Sequence, residues 1–488
     1  MRGGPFDTFM HASGNEHVTP PSARAVPLWW TVACVCIVLL PFLATLYAIQ
    51  TKLQATEYDD SFAYVWRGPI NLGFFTNRSL TQRVLFWLCD NHLRDIARLQ
   101  LAGFAASALV LFWLLAPATR LGRALVAFLV AGVFSSYSLS VGAVAIVAEP
   151  LHVALLLTFP VLLFLGRGRA GRLAMLGVGL LFLFSKNTAP FVVLFLLTGH
   201  WLLSRWGLPT QVGKERAVLA VVTVAALVLL RGFDTSVHTN LANNVLGRML
   251  VDEAAVERLL ARDAMPPGDY VTACRGGNVL TPCFAGQHLH DWHPEHLNYR
   301  LRQDPWGFAK WVAERGGGAY ARYLVWDRPA ATWREVWGAL DESLADGTVA
   351  FVTGYLDLYP ASPARSNLQR LAGEDASRRV GFLGFDPPAL LTRILGRMGM
   401  GTPVGLGLWL LAALVLFHWR PSPLLGLGIT LTLGAVALFA LAYVGDAIEV
   451  QRHVYPALLA LLLGAMVLLA GILTTLWTGW RARQLHFR

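Results

Sequence analysis

The stretch PVGLGLWLLAALVLFHWRPSPLLGLGITLTLGAVALFALAYV, residues 403–444, decides the fold class. It contains two apolar runs, 403–418 and 423–444, separated by a short break that holds Arg420 and Pro421. An α-helix needs roughly 20 apolar residues to cross the hydrocarbon of a bilayer. Two such runs joined by a few polar residues are typical of consecutive transmembrane helices.

Similar runs recur along the 488-residue chain, which is 55% hydrophobic and 14% charged. Soluble globular chains carry about 25% charged residues. We predict an all-α polytopic membrane protein with about ten spans, near 28–49, 99–117, 124–144, 151–166, 173–185, 189–204, 217–231, 403–418, 423–444 and 454–478. The first run is long and lacks a small-residue cleavage site, so it is interpreted as a retained anchor and not a cleaved signal peptide.

Arginine residues fix the predicted orientation, because short cytoplasmic loops carry an excess of Lys and Arg. With the N-terminus in the cytoplasm, the inner loops and the C-terminal tail hold Arg120, Arg123, Arg167, Arg169, Arg172, Arg205, Lys214, Arg216, Arg420, Arg481, Arg483 and Arg488. Merging 173–204 into one span would place every later arginine cluster outside, against this rule, so we predict two spans there. The net charge of +10 therefore reflects membrane topology and predicts no nucleic-acid partner.

This topology divides the chain into a membrane part and one soluble segment. We predict a cytoplasmic tail (1–27), seven spans (28–231) with an outer loop at 50–98, an extracytoplasmic domain (232–398), three spans (399–480) and a second cytoplasmic tail (481–488). The arginine-rich, lysine-poor composition, with much Ala, Leu and Gly, is typical of a GC-rich bacterial genome. The predicted location is thus the cytoplasmic membrane of a bacterium, with the site facing outwards.

The outer segment 232–398 has the composition of a soluble, mainly helical domain. Apolar residues recur at three- and four-residue steps between Leu241 and Leu260, and more amphipathic helices are expected around 307–345. Cys274 and Cys283 close a short loop, and an oxidising compartment would let them form a disulfide; the alternative is two buried thiols. A cluster of histidines and acids at 288–296 has no metal-site spacing and contains Pro294, so we predict no metal there.

Charged and polar residues are retained in the outer connections, although topology requires none there. They are Glu57, Asp59 and Asp60 after the first span, Glu149 after the third, Lys186 and Asn187 after the fifth, and Asp446, Glu449, Arg452 and His453 after the ninth. Ionisable groups near the hydrocarbon are costly and usually functional, so we predict that they line one cavity. The alternative is that each ends its helix at the water boundary.

An uncleaved first span followed at once by the acidic pair Asp59-Asp60 resembles the GT-C superfamily of membrane glycosyltransferases, which use sugars carried on polyprenyl phosphate. The Glu149-Pro150 turn, the turn 184–187 and the late segment 449–456 also resemble connections in these enzymes. The resemblance covers roughly 28–231 and 403–478, and it implies a GT-C-like bundle. It also implies a first outer loop with the catalytic acid and interfacial helices, which the apolar and arginine pattern of residues 66–98 would suit.

The resemblance implies a role for each residue of the set. Asp59 or Asp60 would take the proton from the acceptor hydroxyl, or the pair would bind a divalent cation. Positive charge would stabilise the departing phosphate. The candidates for that charge are Lys186, Arg67, Arg78 and Arg452. The donor would be a polyprenyl-phosphate-linked sugar, and the acceptor an envelope glycan, lipid or protein.

Two other functions compete with the glycosyltransferase. A polysaccharide polymerase or ligase of the O-antigen type also works at the outer face, and it relies on arginine and histidine, which Arg452-His453 would supply. A transporter is less favoured, because the sequence has no inverted repeat and its charges gather at span ends, not midway along spans.

Overall fold

The protein is described by a computed structural model that covers residues 26–51, 79–117, 119–135, 149–208, 213–233, 241–242, 244–274, 307–346, 387–445 and 450–486. All regular structure in these ranges is helical, which confirms the all-α class. The acidic pair and most of the predicted extracytoplasmic domain between 275 and 386 lie outside the described residues.

The helices are, in chain order, α1 (Leu28–Thr51), α2 (Leu80–Leu88), α3 (Leu93–Leu115), α4 (Arg120–Phe134), α5 (Glu149–Leu165), α6 (Gly168–Leu183), α7 (Ala189–Arg205), α8 (Lys214–Phe233), α9 (Glu253–Ala261), α10 (Asp269–Cys274), α11 (Phe308–Trp311), α12 (Gly317–Arg322), α13 (Pro329–Asp346), α14 (Pro387–Arg397), α15 (Pro403–Trp419), α16 (Pro423–Gly445) and α17 (Val450–His486). Three π-helical turns, Val245–Met249, Val312–Gly316 and Tyr323–Asp327, interrupt the soluble part.

Each predicted span contains one of these helices, but not all of them are long enough to cross a membrane. Among the described residues, four candidate spans are both long and apolar enough: Leu28–Tyr47, Leu93–Leu115, Pro423–Gly445 and His453–Trp480. Three shorter apolar helices cover Pro150–Leu165, Ala189–Arg205 and Pro403–Trp419. The structure therefore fits an all-α membrane protein, and the count of about ten spans stays a prediction.

Several helices begin where a polar side chain caps the free backbone N–H groups of the first turn. Thr119 Oγ1 accepts from Gly122 N at 3.2 Å before α4, and Thr402 Oγ1 accepts from Gly405 N at 3.1 Å before α15. Asp252 caps the start of α9, because its carboxylate accepts from Ala255 N at 3.3 Å. The helical periodicity between Leu241 and Leu260 is thus divided into two helical pieces.

Helices α16 and α17 form the most extensive helix pair, and small residues let their backbones approach. A methyl group added at Gly428 would lie 2.6 Å from Leu468 Cα, and one at Gly464 would lie 2.9 Å from Thr432 N. These contacts show that the two helices run antiparallel. Close packing at glycine is the usual way in which helices associate in lipid, where apolar burial gives no driving force.

Helix α5 occupies the centre of the bundle and contacts α3, α6, α7, α16 and α17. Nearly every residue between Pro150 and Phe164 is buried. Gly103 of α3 packs on Leu151, and Ser107 Oγ donates to Ala154 O at 2.7 Å. Helices α3 and α5 therefore run in the same direction.

The basic turns gather at one end of the bundle, which we call the arginine end (116–117, 119–123, 166–172, 205–208, 213–216 and 420–422). Arg123 Nη1 donates to Thr31 Oγ1 at 2.7 Å, and Arg216 Nη2 donates to Leu163 O at 3.1 Å. Arg172 and Glu215 form an ion pair at 3.2 Å. We call the other end, where α5, α7 and α17 begin and α16 ends, the opposite end.

The described soluble residues lie at the opposite end. One small core, formed by Val245–Tyr270 and Phe308–Tyr323, is separate from the core of the bundle. Ion pairs support it: Asp263 contacts Arg322 at 3.1 Å, and Asp327 contacts Arg258 at 3.5 Å. In contrast, α13 and α14 place Leu340, Leu344 and Leu395 in the core of the bundle itself.

Candidate functional site

Most of the predicted site residues lie where the structure gives no side-chain description. Glu57, Asp59, Asp60, Arg67, Arg78, Asp446, Glu449 and Cys283 are outside the described residues. Glu149 begins α5, Arg452 lies in the first turn of α17 and Cys274 ends α10, with only their backbones described. Lys186, Asn187 and His453 are described with their side chains, and the structure places all three at the opposite end.

A buried histidine links two of the predicted connections. His152, which is 1% exposed, lies on the first turn of α5, and its Nδ1 is 2.7 Å from Ser185 Oγ at the end of α6. Ser185 Oγ donates its own hydrogen to Phe182 O at 2.6 Å. A hydroxyl has one hydrogen to give, so with Ser185 donating to Phe182 O, a hydrogen bond at Nδ1 would take its hydrogen from His152. The Glu149 connection and the Lys186 connection are therefore joined inside the bundle.

Helix α2 of the first predicted outer loop is fixed to the same turn. Thr81 N donates to Phe184 O at 3.1 Å, and Thr81 Oγ1 donates to Leu181 O at 2.8 Å. Both acceptors are carbonyls at the C-terminal end of α6, which lack partners within their own helix. Phe184, next to Ser185, thus holds the start of α2. The first outer loop, the Glu149 connection and the Lys186 connection therefore meet at one place.

Large polar side chains are buried where these connections meet. Gln82, Arg83 and Gln100 are 1%, 2% and 0% exposed. Both Nε2 and Oε1 of Gln82 find no hydrogen-bond partner in the part of the chain that the structure describes. An unsatisfied buried amide costs about 1–3 kcal/mol, and a buried arginine needs compensation by neighbouring groups. Such a cluster is unfavourable for folding alone.

The packing of α2 on α3 shows which way Gln82 faces. Phe86 lies four residues after Gln82 on the same helical face, and it packs in one cluster with Ile96 of α3. Gln100 lies four residues after Ile96, again on the same face. Gln82 and Gln100 therefore occupy the facing sides of α2 and α3, level with the start of α5, because Gly103 packs on Leu151.

This arrangement changes the sequence-based interpretation of residues 66–98. They do not form one continuous interfacial helix over their described part: α2 ends at Leu88, and a turn with positive φ at Asp90 and Asn91 leads into α3. Arg83, one of the arginines in this range, is 2% exposed. The hairpin brings polar residues of the first loop into the bundle.

A second contact at the opposite end holds the last turn of α16. Asn244 Nδ2 donates to Gly445 O at 2.8 Å, Arg248 Nη2 donates to Tyr443 O at 2.5 Å, and the Tyr320 hydroxyl donates to Val444 O at 2.6 Å. The Arg248 guanidinium also lies over the Tyr443 ring, 4.9 Å from its centroid. Three consecutive end carbonyls of α16 are thus bound by the soluble core, directly before the connection with Asp446 and Glu449.

Metal and thiol chemistry find little support in the described part of the chain. No group of three metal-ligating His, Cys, Asp or Glu residues occurs there, and both Asp59-Asp60 and the histidine cluster at 288–296 lie outside it. Cys34 and Cys89 are buried free thiols, and burial raises the pKa of the Cys89 thiol. The cation at Asp59-Asp60 and the Cys274–Cys283 disulfide stay predictions.

Sequence reasoning missed Gln82, Gln100 and His152 as members of the site, whereas Ser185 lies in the turn 184–187 that the sequence had indicated. Only His152 had a usable signal, because it follows Glu149 by three residues and so shares its helical face. The comparisons with known proteins add no functional assignment: no family model, curated protein or solved structure matches this chain.

Proposed function

We propose that this chain is a membrane glycosyltransferase of the GT-C type, which transfers a sugar from a polyprenyl-phosphate donor to an envelope glycan, lipid or protein. The observation that supports this most is the buried cluster of Gln82, Arg83, Gln100 and His152. Gln82 and Arg83 belong to the predicted first outer loop, whose sequence also carries the acidic pair. Ionisable residues buried in a membrane bundle usually mark a functional site.

In the proposed reaction, the acceptor hydroxyl attacks the anomeric carbon of the donor sugar. The bond between that carbon and the phosphate oxygen breaks, and polyprenyl phosphate leaves. Asp59 or Asp60 takes the proton of the acceptor hydroxyl as general base, which predicts inversion of the anomeric configuration. Cationic groups stabilise the charge of the departing phosphate. Besides Lys186, the buried guanidinium of Arg83 is a candidate for this role.

The proposed location follows from the arginine end. The positive-inside rule predicts that this end faces the cytoplasm of a bacterium and that both termini lie there. The polar cluster then faces the outer leaflet of the cytoplasmic membrane. A lipid-linked phosphate cannot leave the interface, so the donor would enter the cluster sideways from the bilayer.

The decisive experiment replaces Asp59 and Asp60 separately by Asn. Each change keeps the size of the side chain but removes its ability to accept a proton, and loss of a general base typically lowers the rate about 10²–10⁴-fold. Transfer is measured in nanodiscs with a polyprenyl-phosphate donor that carries a labelled sugar, together with membrane extract as acceptor. Donor binding should survive in the inactive variant.

Arg452→Ala and His453→Ala are the matched comparison, because they test the polymerase or ligase alternative. That alternative has one structural argument: the end of α16, which precedes these residues in the sequence, is bound by Asn244 and Tyr320. Full activity of both Asp variants, together with loss of activity in both α17 variants, would refute the glycosyltransferase and favour the polymerase or ligase.

A further inference from the structure

The side chain of Gln82 is buried without a partner for either end of its amide among the described residues. Such groups in folded proteins are nearly always satisfied, by protein, water or ligand. Its position is fixed, because the neighbouring Thr81 is bonded to both Leu181 O and Phe184 O. Gln82 is therefore a rigidly held hydrogen-bonding group at the polar cluster.

The start of α2 is not a general anion site, because its backbone N–H groups are already used. Thr81 N donates to Phe184 O, Gln82 N donates to Ser79 Oγ, and Arg83 N donates to Ser79 O. What this turn offers a ligand is the side-chain amide, which donates through Nε2 and accepts through Oε1. An ionised phosphate oxygen only accepts, so it would leave Oε1 unsatisfied. A hydroxyl both donates and accepts, so it suits the amide.

Gln82 and Arg83 are consecutive residues, and both side chains are buried. Consecutive residues of a helix do not face each other, so the argument for a bound hydroxyl rests on the Gln82 amide and not on Arg83. Gln100, on the facing side of α3, adds a second amide to the same region.

We propose that Gln82 binds a ring hydroxyl of the donor sugar and so determines which sugar this protein accepts. The proposal rests on the proposed function, since it takes a lipid-linked sugar as the ligand. Helix α2 would thus recognise the sugar, and the acidic pair Asp59-Asp60 would take part only in the catalytic step.

The test uses Gln82→Met, which keeps the length and the unbranched shape of the side chain but removes both polar atoms. Binding is measured in nanodiscs by thermal stabilisation, with short polyprenyl phosphates that carry one hexose or pentose and with the same lipid without a sugar. Wild-type protein should prefer one sugar-carrying lipid to the bare lipid. In the variant, the ratio of the affinity for that lipid to the affinity for the bare lipid should fall about 10- to 100-fold, which corresponds to the loss of one or two amide hydrogen bonds.

Stability without ligand separates recognition from a structural role. Removal of an unsatisfied buried amide should leave the melting temperature of the free protein unchanged or raise it. Gln82→Leu is the second variant, in case the Met side chain does not pack. A structural glutamine would instead give lower stability with an unchanged sugar preference, and this result would overturn the inference.

Donor analogues that lack one hydroxyl each test the same point without any mutation. Wild-type protein should lose affinity for the analogue that lacks the recognised hydroxyl, whereas Gln82→Met should not distinguish it from the parent donor. Equal losses in both proteins would overturn the role of Gln82 and leave the glycosyltransferase intact. If no sugar-carrying lipid binds better than the bare lipid to wild-type protein, the donor class of the proposed function fails together with this inference.

Discussion

Replacement of Gly428 by Ala tests the packing at the centre of the bundle. The new methyl group would lie 2.6 Å from Leu468 Cα and 2.7 Å from Leu468 N. Carbon atoms pack best at about 3.5–4.0 Å, so α16 and α17 would have to separate by about 0.9 Å. The obstacle is backbone, which cannot turn aside as a side chain would. Such overpacking typically costs about 1–3 kcal/mol.

Gly407→Ala is the matched control. Gly407 lies within α15, is exposed, and would place its methyl group in open space. Both substitutions gain the same helix propensity, about 0.5–1 kcal/mol. The difference between the two variants therefore isolates the steric effect.

We expect Gly428→Ala to lower the free energy of unfolding by about 1–2 kcal/mol in net terms. Gly407→Ala should raise it slightly. Thermal unfolding of the detergent-solubilised protein, followed by size-exclusion fluorescence, measures both. Shifts of the same sign and size would show that α16 and α17 do not touch at Gly428, and the antiparallel pair would be wrong.

Three further predictions concern the soluble segment. Tyr320→Phe removes one hydrogen bond to the end of α16 and should cost about 1 kcal/mol, seen as faster hydrogen exchange across 244–270; unchanged exchange would contradict the docking contact. A cysteine introduced at Gly347 should react with an impermeant maleimide in intact spheroplasts, whereas labelling only after lysis would reverse the predicted orientation. Cys274 and Cys283 should be disulfide-bonded in unreduced protein, which would stabilise the segment by about 2–3 kcal/mol; two free thiols in mass spectrometry would refute this.

The sequence was informative wherever the surroundings of a residue follow from its local pattern. Long apolar runs such as 423–444 predicted helices, because a helix satisfies its own backbone in lipid wherever it lies. The alternation of apolar runs and basic turns also predicted that Arg120, Arg172 and Arg216 would gather at one end. Those contacts appear in the structure.

The polar cluster was less predictable, because it depends on contacts between distant parts of the chain. The pattern of apolar residues and arginines in 66–98 fits a helix on a membrane surface. It fits equally a hairpin with a polar interior, since periodicity shows which residues share a face but not what that face meets. The burial of Arg83 therefore could not be inferred from the pattern. The turn 184–187 was singled out from the sequence, but the bond of Ser185 to His152 joins residues 33 positions apart and has no local signal.

Under the proposed function, the distribution of buried polar groups along the bundle constrains what kind of donor the protein could use. Gln82, Arg83, Gln100 and His152 are all buried towards the opposite end. If the arginine end is cytoplasmic, as the positive-inside rule predicts, this cluster has no access to soluble activated sugars made in the cytoplasm. An energy-rich sugar can then reach it only on a carrier that has already crossed the bilayer. A lipid phosphate fits that need, because its charge stays at the interface while its chain stays in the hydrocarbon. Such a donor would explain why the Arg83 guanidinium and the unsatisfied Gln82 amide are both buried towards this end of the bundle.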